Sequence, residues 1–134
     1  MILLTEIMGW GLMLLAVIHG IFPKVFDWKR ELSYLSLINQ QLMTVHTFFI
    51  ALAVFLNGLL CVTSANELIT EPLGQKISLG FAFFWGARFF TQIFWYSSKL
   101  WKGKRRETFI HILFLCIWGA VTGMFLLIGL GWSL

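Results

Sequence analysis

The amino-acid sequence predicts an all-α membrane protein in which four transmembrane helices form an up-down bundle. Apolar residues make up 59% of the 134 residues and charged residues only 12%, whereas about a quarter of the residues in a soluble domain are charged. The apolar residues gather in four blocks, at 2–22, 42–64, 77–98 and 108–131. Each block is long enough to cross about 30 Å of hydrocarbon as a helix.

The four blocks take up nearly the whole chain, so we predict a single domain over residues 1–134. What remains is two loops and short tails. A separate soluble catalytic or binding domain does not fit into these segments. We therefore expect any chemistry to lie in or against the helices.

The basic residues predict the orientation of the helices in the membrane. In a four-span protein the first and third loops share one side, and eight of the ten Lys and Arg residues lie there: Lys24, Lys29, Arg30, Lys99, Lys102, Lys104, Arg105 and Arg106. The opposite loop carries a single lysine, Lys76. By the positive-inside rule, we expect basic loops in the cytoplasm, both termini outside it, and a location in the cell inner membrane. The net charge of +4 then reflects topology, and we expect no nucleic-acid partner.

The first basic loop, residues 24–38, has charged residues mixed with apolar ones such as Val25, Phe26 and Leu32. This mixture is typical of a segment that lies in the plane of the membrane interface. We therefore expect a short amphipathic segment on the inner membrane surface.

Three histidines, His19, His46 and His111, lie near the cytoplasmic ends of predicted spans. His19 comes about a turn before the end of the first helix, His46 about a turn or more after the start of the second, and His111 about a turn after the start of the fourth. At about 1.5 Å per residue, all three come within roughly 10 Å of the basic side. A histidine inside a span is costly and usually faces the bundle interior, so we expect three imidazoles in one layer.

Residues seven and eleven apart return to nearly the same side of a helix, and this spacing places two of the histidines with other polar residues. The stripe of the second helix is Asn39, Met43, His46, Ile50, Ala53 and Asn57, and that of the fourth is Thr108, His111, Leu115, Trp118 and Thr122. We therefore expect His46 and His111 to face inward. The same test leaves the orientation of His19 open.

The third helix has no histidine but carries Arg88 and, one turn later, Gln92. We expect Gln92 in the histidine layer as an auxiliary group. Arg88 lies near the middle of its span, where an unpaired guanidinium is strongly disfavoured. We therefore expect it to pair with a carbonyl, an aromatic face, a carboxylate or an anionic ligand, and we assign both residues to the binding of a cofactor or substrate.

Three histidines from three helices can bind a Zn, Cu or Fe ion and leave a fourth position open for water or dioxygen. Alternatively, His46 and His111 can serve as the axial ligands of a haem b. Either site would support redox or hydrolytic chemistry, and the sequence identifies no catalytic residue. In the competing interpretation the protein is a non-catalytic accessory or assembly subunit or a transporter component. The histidines and Arg88 then only pair helices, which is worth around 0.6 kcal/mol per hydrogen bond.

The lipid bilayer is the partner that the composition requires. Gly119 and Gly123 form a GxxxG pair in the fourth block, a spacing that favours close contact between helices. That contact can be internal or between protomers, so a homo-oligomer and a larger membrane complex are both left open.

Overall fold

The computed structural model describes residues 1–132, and these residues are helical apart from turns and short connections. They form seven α-helices: α1 (Ile2–Ile18), α2 (Phe22–Val25), α3 (Trp28–Glu31), α4 (Leu37–Thr63), α5 (Ala65–Thr70), α6 (Pro72–Phe94) and α7 (Arg105–Gly129). Single 3₁₀ turns follow α1, α3 and α6, at His19–Ile21, Leu32–Tyr34 and Ser98–Leu100.

Four helical segments are long and apolar enough to span a membrane: Ile2–Val25, Leu37–Thr63, Pro72–Phe94 and Arg105–Gly129. The prediction of an all-helical chain with four helices that can span a membrane is therefore confirmed, whereas the up-down arrangement and the orientation of the termini stay predictions. The two largest differences from the predicted blocks are at helix starts, where polar residues extend the helices beyond their apolar cores. The second long helix begins at Leu37 rather than 42, and the third begins at Pro72 rather than 77. Proline is favoured in the first turn of a helix, where its missing N–H costs nothing.

The helices group into two compact units, one from Ile2 to Ala65 and the other beginning at Asn66. In the first unit α1 and α4 run antiparallel and touch through two glycines. A methyl group on Gly9 would lie 2.7 Å from the carbonyl oxygen of Gly58, and one on Gly58 would lie 2.6 Å from that of Gly9. Glycine is therefore required at both positions for the two backbones to approach this closely.

The packing of α4 is confined to its C-terminal half. Its buried residues are Val54, Asn57, Gly58 and Cys61, whereas residues 37–50 are exposed or half-buried. The N-terminal half of α4, which contains His46, is therefore not buried by the other helices of its own unit.

In the second unit α6 and α7 form an antiparallel pair with an aromatic core. The rings of Trp85 and Trp118 stack at 5.2 Å with an interplanar angle of 18°, and Phe81 packs on Phe125 at 5.2 Å. Because the helices are antiparallel, residues later in α6 contact residues earlier in α7. This register brings the end of α6 to the beginning of α7, where the polar residues lie.

These two helices pack tightly at Gly129, where an added methyl group would lie 2.6 Å from Leu79 Cγ. Only one glycine of the predicted GxxxG pair faces a residue of α6. A methyl group on Gly119 would meet the Phe89 ring at 3.3 Å, whereas one on Gly123 would meet nothing within 4 Å. Gly123 therefore takes no part in the contact between α6 and α7.

The loop between α1 and α4 contains the two short helices α2 and α3. They join at Asp27, whose φ of 47° lies in the left-handed region, and Arg30 pairs with Asp27 at 3.3 Å and with Glu31 at 3.0 Å. The loop is helical in short pieces, and its position on the membrane surface stays a prediction.

We expect Gly9→Ala to destabilise the pair of α1 and α4, because its methyl group collides with the Gly58 carbonyl. Overpacking of this kind typically costs about 1–3 kcal/mol. The measurement is thermal unfolding of the purified protein in a neutral detergent. Gly11→Ala is the matched control, since a methyl group there meets nothing within 4 Å and alanine favours the helix by about 1 kcal/mol over glycine. Equal melting temperatures for the two variants would contradict the crossing at Gly9 and Gly58.

Candidate functional site

Arg88, Gln92 and His111 form a hydrogen-bonded chain across α6 and α7. Arg88 Nη1 donates to Gln92 Oε1 at 3.1 Å, and Gln92 Nε2 lies 2.9 Å from His111 Nδ1. Arg88 and Gln92 are one helical turn apart, so they share a side of α6, and Gln92 is buried at 8% exposure. The sequence-based placement of Gln92 beside a histidine is therefore seen for His111.

The direction of this chain follows from the chemistry of its first member. A guanidinium has only donors, so the amide oxygen of Gln92 has to face Arg88 and its NH₂ group has to face His111. Nδ1 of His111 then accepts the hydrogen bond and carries no proton. The ring is therefore neutral with its proton on Nε2, and this nitrogen presents a donor.

Trp101 holds the ring of His111 from one face. The two rings stack with centroids 3.8 Å apart and an interplanar angle of 9°. Trp101 is itself tied to α7, since the Thr108 hydroxyl donates to its carbonyl oxygen at 2.8 Å. His111 is therefore held by a hydrogen bond from Gln92 in the plane of its ring and by the stacked Trp101 ring on one face.

The half-buried guanidinium of Arg88 lies against aromatic faces. Its central carbon is 4.9 Å from the ring centre of Trp118 and 5.8 Å from that of Tyr96. Nη1 also donates to the Thr91 hydroxyl at 3.4 Å, which in turn donates to the Arg88 carbonyl at 2.8 Å. The expected pairing of Arg88 with an aromatic face is present in the structure.

Arg88 has no acidic partner among residues 1–132, where the ion pairs all involve Arg30. Its hydrogen bonds to described residues both come from Nη1, which leaves the Nε and Nη2 donors unused. The partners of Arg88 therefore supply acceptor oxygens and aromatic faces but no negative charge.

The core beside Arg88 contains further donors without acceptors. Within the described residues, the indole nitrogens of Trp85 and Trp118 and the hydroxyl of Ser78 are buried and make no hydrogen bond. Trp118 is only 4% exposed and supports the guanidinium on its ring. Two buried indole N–H donors of the α6 and α7 pair thus have no acceptor within the described residues.

His19 is held by its own helix. Its Nδ1 lies 2.8 Å from the Leu15 carbonyl oxygen, which can only accept, so Nδ1 carries a proton and Nε2 is the nitrogen that has a lone pair in the neutral ring. The ring also lies 4.7 Å from that of Phe22. His19 is half-buried.

His46 differs from the other two histidines. It lies in the third turn of α4, since this helix begins at Leu37, and its side chain is exposed. The ring makes no hydrogen bond or aromatic contact with the described part of the chain. Of its predicted stripe, Asn57 is buried, whereas Asn39, Met43, Ile50 and Ala53 are exposed like His46 itself.

His19 and His46 belong to one unit and His111 to the other, and each unit is described by itself. Among residues 1–132 the structure shows no group of three histidine, cysteine or acidic side chains that could hold a metal ion. The three-histidine site and the common depth of its members therefore stay predictions.

Trp101, Tyr96 and Thr91 are parts of the site that sequence reasoning did not assign. Trp101 and Tyr96 resemble interfacial aromatic anchors, and nothing in their spacing singles out a partner. Trp118 carried a usable signal, because it shares the helical stripe of His111 and so had to face α6 if His111 did.

No family of known proteins matches this chain, and neither does any curated protein or any solved structure.

Proposed function

We propose that this membrane protein binds an anionic group of a substrate or cofactor at Arg88, with Gln92 and His111 positioning the guanidinium. The observation that carries the proposal is the state of Arg88 itself. It is a half-buried cation in a membrane-spanning helix, it has two unused donor nitrogens, and it has no acidic partner among residues 1–132.

The energetic argument concerns the charge. An arginine at the centre of a membrane helix costs about 2.5–3.5 kcal/mol on insertion scales, which is an upper limit for Arg88, six residues before the end of α6 at Phe94. Contacts with Trp118, Tyr96, Thr91 and Gln92 offset part of this cost, but they leave the positive charge in place. A carboxylate or phosphate would neutralise it, and either group fits the planar fork of a guanidinium with two parallel hydrogen bonds.

We expect short-chain carboxylates and inorganic phosphate to raise the melting temperature of the purified protein in a neutral detergent. A ligand that binds only the folded state stabilises it by about 2.7 kcal/mol at a hundredfold excess over Kd. The increase should disappear in Arg88→Gln and persist in the control Arg106→Gln, which removes an exposed cation from the basic loop. Sodium chloride at equal ionic strength serves as the salt control.

If the anions raise the melting temperatures of the wild type and Arg88→Gln equally, the proposal is wrong. The network would then act only to join α6 to α7 through the bond between Gln92 and His111. That result would favour the non-catalytic interpretation of an accessory or assembly subunit or a transporter component.

A second candidate function, a metal ion (Zn, Cu or Fe) or a haem b bound through histidine, is favoured by His19. Histidines that bind metals usually donate their second ring nitrogen to a carbonyl or carboxylate. The contact of His19 Nδ1 with the Leu15 carbonyl has this form and leaves Nε2 available as a ligand. Such a group would supply redox or Lewis-acid chemistry, and the exposed ring of His46, in the same unit, is free to serve as a further ligand.

For this candidate we expect protein purified from cells supplied with haem and trace metals to carry either a Soret band or a stoichiometric metal. Absorption spectroscopy and elemental analysis measure the two outcomes. His19→Ala should lose the bound group, whereas Asn39→Ala, on exposed surface of α4, should keep it. Wild-type protein with neither signal would rule out the second candidate.

We also propose that the basic loops face the cytoplasm and that both termini lie outside it, in the cell inner membrane. The charge asymmetry between the loops supports this orientation. The lysines between α6 and α7 and the lysine near the start of α6 are all exposed.

We expect a membrane-impermeant amine reagent to modify Lys76 in right-side-out membrane vesicles. Lys102 and Lys104 should react only in inverted vesicles, because the bilayer shields them in the first preparation. Mass spectrometry of the labelled peptides gives the result. The reverse pattern would show that the basic loops are outside.

A further inference from the structure

The side of α6 that carries Arg88 continues toward the start of the helix as an exposed apolar surface. Phe84 and Ile77 precede Arg88 by four and eleven residues, spacings that return to nearly the same side of a helix. Their exposed fractions are 50% and 36%. Between them lies Gly80, where even an added methyl group would meet nothing within 4 Å. A shallow apolar track, formed by Ile77, Gly80 and Phe84, therefore leads away from Arg88.

The adjacent side of α6 is closed. Trp85 and Gln92 flank Arg88 on that side, and both are buried, with Trp85 stacked on Trp118 of α7. Arg88 therefore lies on the border between the contact surface with α7 and the exposed apolar track. A ligand can reach its free donors from the exposed side only.

The guanidinium reaches toward the C-terminal end of α6. All its polar and aromatic contacts on this helix and just beyond it are with later residues, namely Thr91, Gln92 and Tyr96. Arg88 itself lies six residues before Phe94, about 9 Å from the helix end. Long basic side chains commonly extend in this way toward the membrane interface. The charge thus lies toward the interface and the apolar track runs deeper into the span.

From this arrangement we infer that the occupant of the Arg88 site is an anionic amphiphile, with a carboxylate or phosphate head on an apolar tail. This inference rests on the proposed anion site and specifies its ligand. The head matches the unused fork of Arg88, and the tail matches the track of Ile77, Gly80 and Phe84. Lipid is as apolar as the track, so the tail gains little from protein contact. Its role is to keep the head in the membrane phase beside Arg88.

The test compares ligands that differ in one property, with the protein in nanodiscs of zwitterionic phosphatidylcholine and binding followed by tryptophan fluorescence. Palmitate and hexadecyl phosphate carry both a head and a tail, methyl palmitate has the tail without the charge, and acetate and inorganic phosphate have the charge without the tail. We expect palmitate, hexadecyl phosphate or both to bind at least tenfold more tightly than the other three. The two charged amphiphiles distinguish a fatty-acid carboxylate from a phosphate monoester.

The variants connect this preference to Arg88. Arg88→Gln should weaken binding of the charged amphiphile at least tenfold, Arg88→Lys should weaken it less because it keeps the charge and loses the fork, and Arg106→Gln should stay within twofold of the wild type. If Arg88→Gln does not fold, Arg88→Lys still gives a decisive comparison, because an unchanged affinity in that variant contradicts recognition by the fork.

Three results would overturn the inference. Equal binding of methyl palmitate and palmitate would show that the charge is not recognised. Acetate or phosphate binding as tightly as the amphiphiles would remove the need for a tail while leaving the anion site at Arg88 in place. Identical binding of every ligand to the wild type and Arg88→Gln would overturn the inference and the proposed function together.

Discussion

The constraint on which this structure depends is that hydrocarbon offers no hydrogen-bonding partners to a polar group. Several polar side chains in the membrane-spanning segments meet it locally, by bonding to the carbonyl oxygen one turn earlier. Thr63 bonds to Leu59, Thr122 to Trp118 and His19 to Leu15 in this way. Arg88 cannot be satisfied by such a bond alone, because a carbonyl oxygen accepts a hydrogen bond but does not neutralise the charge of the guanidinium. Its neighbours on α6 and α7 surround the guanidinium with acceptor oxygens and aromatic faces.

Helix packing decides which polar groups can meet. The stacked rings of Trp85 and Trp118 and the close approach of Gly129 to Leu79 fix how α6 and α7 lie along each other. A shift of one residue would turn each side chain by about 100° around its helix. Gln92 would then no longer reach His111. The hydrogen bond between them is therefore a consequence of aromatic and glycine contacts that lie several turns away.

The sequence predicted the four long helices well, because length and hydropathy are properties of the chain alone. It also placed Gln92 at the level of a histidine and required a partner for Arg88. It could not identify Trp118 and Tyr96 as that partner, since cation–π contacts depend on the rotation of two helices about their axes. The helical stripe of His46 showed the same limit. A polar stripe indicates an inward face only where another helix covers it, and within the first unit the buried residues of α4 lie in its C-terminal half.

Hydrogen-bond direction sets the relation between the two candidate functions. While Arg88 donates to Gln92, the amide NH₂ faces His111 and the histidine keeps its proton on Nε2, so this nitrogen cannot bind a metal. Metal binding through His111 Nε2 requires a proton on Nδ1, and Gln92 must then turn its oxygen toward the ring. That rotation sets the amide NH₂ against Arg88, donor against donor, and the guanidinium needs another acceptor. An oxyanion on Arg88 is such an acceptor, so an anion at Arg88 would favour the orientation of Gln92 that releases His111 Nε2 as a ligand.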